Sequence, residues 1–184
     1  MRTVLATVAA MVMAGMAAGP AQAKDVVPCE KDMICASDPT SVAAAMMKAG
    51  YQALISKDAT GDPMIESAAA GYTFTVYFYG CEKAVQCDSI QLYASFKSDG
   101  RDAAFANQWN MNKRFMQMSI SKSGSVEVRY DLATIGGVNR KNFGDVLDWW
   151  SAMLGELGKY FDANPVAAKA GAAAPSPGKT APKI

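Results

Sequence analysis

The stretch Tyr72-Thr73-Phe74-Thr75-Val76-Tyr77-Phe78-Tyr79 decides the fold. Tyr72, Phe74, Val76 and Phe78 alternate with Thr73, Thr75, Tyr77 and Tyr79. A period of two in β-branched and aromatic residues belongs to a strand with one buried face. Beyond a cysteine-bearing loop, Ile90, Leu92, Ala94 and Phe96 repeat the apolar face, with Gln91, Tyr93 and Ser95 opposite. The two stretches are predicted to pair antiparallel, as the arms of a hairpin.

Working outward, Asp38-Pro39 predicts a helix start. Asp38 can accept from free backbone N–H groups, and proline suits the first helical position. Val42, Met46 and Ala49 share a face and Gly50 ends the helix. Tyr51 to Ser56 reads as a strand, 57–62 as a turn, and Pro63 to Ser67 as a returning strand. On the other side, Ala103 to Arg114 predicts a helix with Phe105 and Trp109 one turn apart. Met116, Met118 and Ile120 then alternate inward, Ser123-Gly124 turns, and Val126, Val128, Tyr130 and Leu132 return, with Glu127, Arg129 and Asp131 on the wetter side. Gly136-Gly137 breaks the chain and Asn139 caps a last helix. Its stripe is Phe143, Val146, Leu147, Trp150, Leu154, Leu157 and Phe161. The order α-β-β-β-β-α-β-β-α predicts an α+β fold, an antiparallel sheet with helices packed mainly on one face.

The ends of the 184-residue chain differ from this pattern. Met1-Arg2 is a basic start, Val4 to Ala18 is uncharged, Gly19-Pro20 breaks any helix, and Ala21-Gln22-Ala23 fits the small-x-small cleavage pattern. The run is shorter than the roughly 20 apolar residues that span a membrane. Residues 1–23 are expected to be a signal peptide cleaved after Ala23, with a periplasmic or secreted product and no transmembrane segment after cleavage. An uncleaved anchor is the alternative. Residues 24–37 form a cysteine-bearing leader, 38–162 the α+β domain, and 163–184 an Ala/Pro/Lys tail expected to be disordered. Lys169, Lys179 and Lys183 in that tail could touch an anionic envelope surface. A solvated flexible end is the simpler reading.

Composition narrows the function. Removing residues 1–23 takes Arg2 and no acid, leaving 17 basic and 17 acidic residues. That balance argues against a nucleic-acid partner. Cys29, Cys35, Cys81 and Cys87 form two C-x5-C pairs, and an even count in an exported chain reads as disulfides. Four cysteines allow three connectivities. The hairpin arms would bring Cys81 and Cys87 together, which favours that bond and leaves Cys29–Cys35. A redox motif would want C-x-x-C, and a zinc site closer spacing with histidine.

The chain has no histidine, so it lacks the commonest general base, the Ser-His-Asp and Cys-His sites, and histidine metal centres. Asp58 and Asp62 sit in a turn, where aspartate bonds the backbone. Gly136-Gly137 reads as a tight turn and not a phosphate cradle. Met111, Met116 and Met118 could suggest copper, but alternation makes Met116 and Met118 core residues. No catalytic residue, metal or cofactor is expected.

Two surfaces carry a binding expectation. The outer hairpin face presents Tyr77, Tyr79 and Tyr93 with Thr73, Thr75 and Gln91, and tyrosine offers apolar area with a polar tip. The alternative is that the last helix or the leader covers this face. Trp149, beside the core stripe with Met153 and Tyr160, could bind a partner helix, dimerise, or simply widen the buried face.

Several stretches together resemble the YbjN family of bacterial sensory transduction regulators. They are Gly50-Tyr51, Asp58 with Gly61-Asp62-Pro63-Met64-Ile65, Gly71-Tyr72-Thr73-Phe74, and Tyr79-Gly80-Cys81 with Cys87. Further on come Asn107-Gln108-Trp109-Asn110 with Arg114-Phe115, Tyr130-Asp131-Leu132, Gly136-Gly137 and Trp150. The N-x-W-N…R-F segment is the most distinctive piece. The resemblance implies a twisted antiparallel sheet flanked by helices, like that of type III secretion chaperones. It also implies a non-enzymatic, protein-binding or regulatory role that admits a homodimer. Asn107, Trp109, Asn110 and Arg114 become candidates for an interaction site at the end of the second helix; capping strands and satisfying backbone groups is the other role open to them. The expected function is therefore an envelope module that recognises a protein or peptide. The alternative is a carrier of a small apolar ligand held between sheet and helices, which would need an enclosed cavity of several hundred cubic ångströms.

Overall fold

The computed structural model describes residues 29–82, 84–97 and 99–166. The expected signal peptide and the tail lysines lie outside them. The elements are β1 (Met33–Ile34), α1 (Pro39–Lys48), β2 (Leu54–Lys57), β3 (Pro63–Ala69), β4 (Tyr72–Tyr79), β5 (Ser89–Phe96), α2 (Ala103–Asn112), β6 (Gln117–Ile120), β7 (Val126–Ala133), β8 (Val138–Asn139) and α3 (Arg140–Ala163). Six strands make one antiparallel sheet in the order β2-β3-β4-β5-β7-β6. The fold is the α+β class expected from the sequence.

Alternation places Phe74, Val76, Phe78, Ile90, Leu92, Ala94, Val126 and Val128 in the core. The stripe of α3 covers them, with Phe143, Val146, Leu147, Trp150, Leu154 and Leu157 all buried. Trp150 meets Phe74 edge-on at 5.7 Å, and Phe161 meets Phe96 at 5.2 Å. The caps are those expected: Asp38 accepts from Thr40 and Ser41 N–H groups, and Asn139 from that of Asn142. Both put an oxygen on orphan donors of the first turn. At the far end of α3, Arg101 donates to the carbonyls of Phe161 and Asn164. A cation there complements the negative end of the helix dipole.

Several boundaries differ from expectation. Ala49 lies beyond α1 and is exposed, because the chain already turns there. The first sheet strand begins at Leu54 and not Tyr51, since Tyr51 is tied elsewhere: its N–H donates to Met46 and its hydroxyl to the Leu147 carbonyl. At the other end, α3 includes Ala163, with Asn164 as its cap.

The leader from Cys29 onward is part of the fold. Ile34, Cys35, Ala36 and Ser37 are buried, and β1 pairs with β8. Gly137, at φ +85°, permits that pairing, because a Cβ there would stand 2.6 Å from Met33 Cβ. The cysteines bond as expected, Cys29 to Cys35 and Cys81 to Cys87.

The second helix stops two residues short of Arg114, and its end explains the Trp109-Asn110 pair. The indole N–H of Trp109 donates to Met116 O at 2.9 Å. The Asn110 carboxamide accepts from Met118 N–H at 2.8 Å and donates to Met118 O at 2.9 Å. Those groups point away from β7, along the outer edge of the sheet. Asn110 thus stands where the peptide group of a further strand would stand and closes that edge. Asn110→Ala is expected to lower the unfolding free energy by about 1–2 kcal/mol, because it orphans a half-buried donor and acceptor. Urea unfolding checks this, and an unchanged midpoint would mean that solvent replaces the seal.

Candidate functional site: the open tyrosine face

Among the described residues, no helix lies over the second face of the sheet. Among the described residues, neither the last helix nor the leader from Cys29 onward covers it. The register sets its side chains in rows across neighbouring strands. Tyr77 lies opposite Gln91, which lies opposite Asp131; Thr75 lies opposite Tyr93, which lies opposite Arg129. Tyr77 and Tyr93 are diagonal neighbours, in edge-on contact at 5.6 Å, while Tyr79 is 47% exposed.

A polar network runs between the rings. Tyr79 Oη donates to Gln91 Oε1 at 3.3 Å, and Gln91 Nε2 donates to Asp131 Oδ1 at 2.6 Å. Arg129 donates to Glu127 and holds its guanidinium 5.8 Å from the centre of the Tyr93 ring. Tyr93 forms a ridge between two grooves that open to solvent. One, of about 510 Å3, is bounded by Tyr77, Tyr79, Gln91, Arg129 and Asp131; the other, of about 390 Å3, is bounded by Glu66, Thr73, Thr75 and Ser95. Burial, then the Asp131 carboxylate, pushes the Tyr79 hydroxyl above its ordinary range. Burial raises Tyr93 as well, with Glu127 acting in the same direction. Both therefore remain neutral hydroxyls near neutral pH.

The other sequence candidates fall into two groups. Trp109 belongs to the core, and both hydrogen-bonding groups of Asn110 are engaged by β6, as described above. Asn107 is exposed on α2. Arg114 and Trp149 are brought together by Phe115, which the sequence marked as part of the R-F pair but not as a site candidate. Phe115 stacks on Trp149 at 4.7 Å, faces Tyr130 at 6.1 Å, and lies 4.9 Å from the Arg114 guanidinium. Trp149 does not share an exposed edge with Tyr160, whose hydroxyl donates to Phe105 O at 2.9 Å and whose ring lies against Phe105 and Trp109. That corner is aromatic and half-exposed, on the helix side and away from the tyrosine face.

Other motifs resolve as structure. Asp58 Oδ1 accepts from the Thr60 hydroxyl and from the N–H groups of Thr60 and Asp62, which lowers its pKa. Met111 is 85% exposed while Met116 and Met118 are buried, so the three methionines do not converge. Among the described residues, no group of three His, Cys, Asp or Glu is placed to hold a metal ion, and no helix is long and apolar enough to cross a membrane.

The tyrosine environments have a pH consequence. Each folded-state value lies above the unfolded one, so the stabilisation is complete below about pH 10, the ordinary tyrosine value. It is lost as pH climbs through the raised values. Alkaline unfolding should begin in that range. Asp131→Asn removes the carboxylate beside Tyr79 and should bring the ionisation of that hydroxyl down toward the ordinary value, read as the difference in ultraviolet absorbance titration between variant and parent. No difference would place Asp131 out of electrostatic reach.

No curated protein matched the chain. The model of the YbjN family, described as "Putative bacterial sensory transduction regulator", matches residues 38–163. That span runs from the cap of α1 to the last residue of α3, well over half of the sequence, and the chain belongs to the YbjN family.

Proposed function

We propose that this protein is a non-enzymatic regulatory module of the cell envelope that recognises a protein partner through its open tyrosine face. The observation that carries the reading is the uncovered Tyr77–Tyr93 ridge with a groove on either side. Rigid aromatic side chains on a sheet give contact area at little entropic cost, and their hydroxyls fix orientation. Asp131, Glu127 and Glu66 add acceptors, and Arg129 adds a cation partly neutralised by Glu127. The regulatory description of the family agrees with such a role. Two disulfides suit an oxidising compartment.

The carrier reading finds less support. The space between sheet and helices is filled by Trp109, Trp150, Phe78, Phe143, Leu92 and Leu147, each with 2% exposure or less. The grooves on the tyrosine face are open clefts at the surface.

The test is crosslinking capture from the cell envelope with three proteins: the chain, a copy ending at Val166, and the double variant Tyr77→Ser/Tyr93→Ser. Ending at Val166 preserves the Arg101 bond to Asn164. The first two should capture the same discrete partner. The double variant should capture roughly tenfold less while unfolding at the same temperature. Equal capture by the double variant would move the site off this face.

A further inference from the structure

The tyrosine face and the end of the chain carry opposite charge. Among the described strand residues on that face, Glu66, Glu127 and Asp131 stand against one cation, Arg129, which donates to Glu127. Glu66 and Asp131 form no ion pair with another described residue. They flank the Tyr77–Tyr93 pair, Glu66 on β3 and Asp131 on β7. In the order β3-β4-β5-β7 they are separated by about 14 Å across the strands. Residues 167–184, which follow Val166, hold Lys169, Lys179 and Lys183 and no acidic side chain. Lys179-Thr180-Ala181-Pro182-Lys183 sets a proline ring between two ammonium groups. In a polyproline II helix those two lysines stand about 12 Å apart along the axis. The series ammonium, ring, ammonium therefore matches the series carboxylate, rings, carboxylate on the sheet, and the lysine side chains span the remainder.

The end of α3 decides whether the segment can reach. Phe161 packs on Phe96, the last residue of β5, and a Cβ on Gly158 would stand 2.8 Å from the hydroxyl of Tyr72, the first residue of β4. Arg101 holds the Phe161 and Asn164 carbonyls at that point. The chain thus leaves the helix layer at the strand ends, and Tyr93 lies only about 10 Å along β5 from Phe96. The stretch from Val166 to Lys179 covers about 40 Å at the polyproline II rise. That length rounds the strand ends and crosses to the tyrosines.

We infer that residues 175–184 dock on this chain's own tyrosine face, wound as polyproline II, with Pro182 on the Tyr77–Tyr93 ridge and Lys179 and Lys183 at Glu66 and Asp131. Aromatic grooves take such segments because the backbone is preorganised and little entropy is lost on docking. Two edges of the three-sided helix carry these groups, and the third holds Pro175, Gly178 and Ala181. A short tether gives the segment an effective concentration in the millimolar range, so a contact too weak to hold separate molecules is populated within one. The regulatory meaning rests on the proposed function: a partner that uses this face must first displace the tail.

Carbodiimide treatment of the disulfide-intact chain joins an ammonium group to a carboxylate it touches, with loss of one water. The expected product has the mass of a single chain less that water, and peptide mapping places the bond between Lys179 or Lys183 and Glu66, Glu127 or Asp131. Pro182→Gly keeps both lysines and lies outside the folded domain, so it should cut the yield severalfold without changing the unfolding temperature; 0.5 M salt should do the same by screening the charges. Tail bonds to any other carboxylate, or none, overturn the inference. A product of twice the chain mass does so too, since it puts the tail on another molecule. The copy ending at Val166 should bind the captured partner about two- to tenfold more tightly than the whole chain. Equal affinity would mean that the tail does not guard the face. The Tyr77→Ser/Tyr93→Ser comparison, made in the copy ending at Val166, tests the face with no tail present, so either idea can fail while the other stands.

Discussion

The contact of Trp150 with Phe74 lies at the centre of the seam between α3 and the sheet, and the rest of the molecule is arranged around that seam. Alternation along β4, β5 and β7 commits one set of side chains to the helices. Once that set is buried, the other set has no choice of face, because successive strand residues point in opposite directions. The tyrosines are therefore exposed as a consequence of the core and not independently of it. Slipping β5 by one residue would exchange Tyr93 for Leu92 and lose the core and the face together.

The central strands and the last helix were legible in the sequence because their apolar periodicity is long and strict. Tyr72–Tyr79 and the stripe from Phe143 to Phe161 leave little freedom of interpretation. The elements that were not legible are those governed by distant partners. Two-residue strands such as β1 and β8 carry no periodicity and exist because Gly137 lets Met33 approach. The end of α2 has neither glycine nor proline near it; it is set by the reach of Trp109 and Asn110 to β6, and Phe115 takes up the strain at φ +69°. Tyr51 leaves the sheet because its hydroxyl finds a carbonyl on α3, nearly a hundred residues away.

The candidate site follows the same division. Tyr77, Tyr79 and Tyr93 could be named from alternation alone, since each stands next to a core residue along its strand and so points the other way. Arg129 was visible only as a member of the wetter row. Its place beside Tyr93 depends on β7 pairing with β5 as well as with its sequence neighbour β6, which no local pattern encodes. Phe115 is the reverse case, an aromatic residue in a loop whose value comes from Trp149 and Tyr130 on two other elements. For the N-x-W-N segment, a distinctive pattern marked a structural device: sealing a strand edge needs a carboxamide at one spacing from an indole.

Thr134 joins parts of the chain that are far apart in sequence. Its hydroxyl accepts from Ala36 N–H at 2.9 Å and donates to the Asp88 carbonyl at 3.1 Å, and its own N–H donates to that same carbonyl. The leader therefore has no seat until β5 and β7 are side by side, because the group that holds Ala36 is presented only at their common end. Contacts of such long sequence separation form late, after the loops they close have been ordered by nearer ones. The residues around Cys35 leave the ribosome long before Thr134 does and must wait for it. For this chain, the order of synthesis and the order of assembly run in opposite directions at the N-terminus.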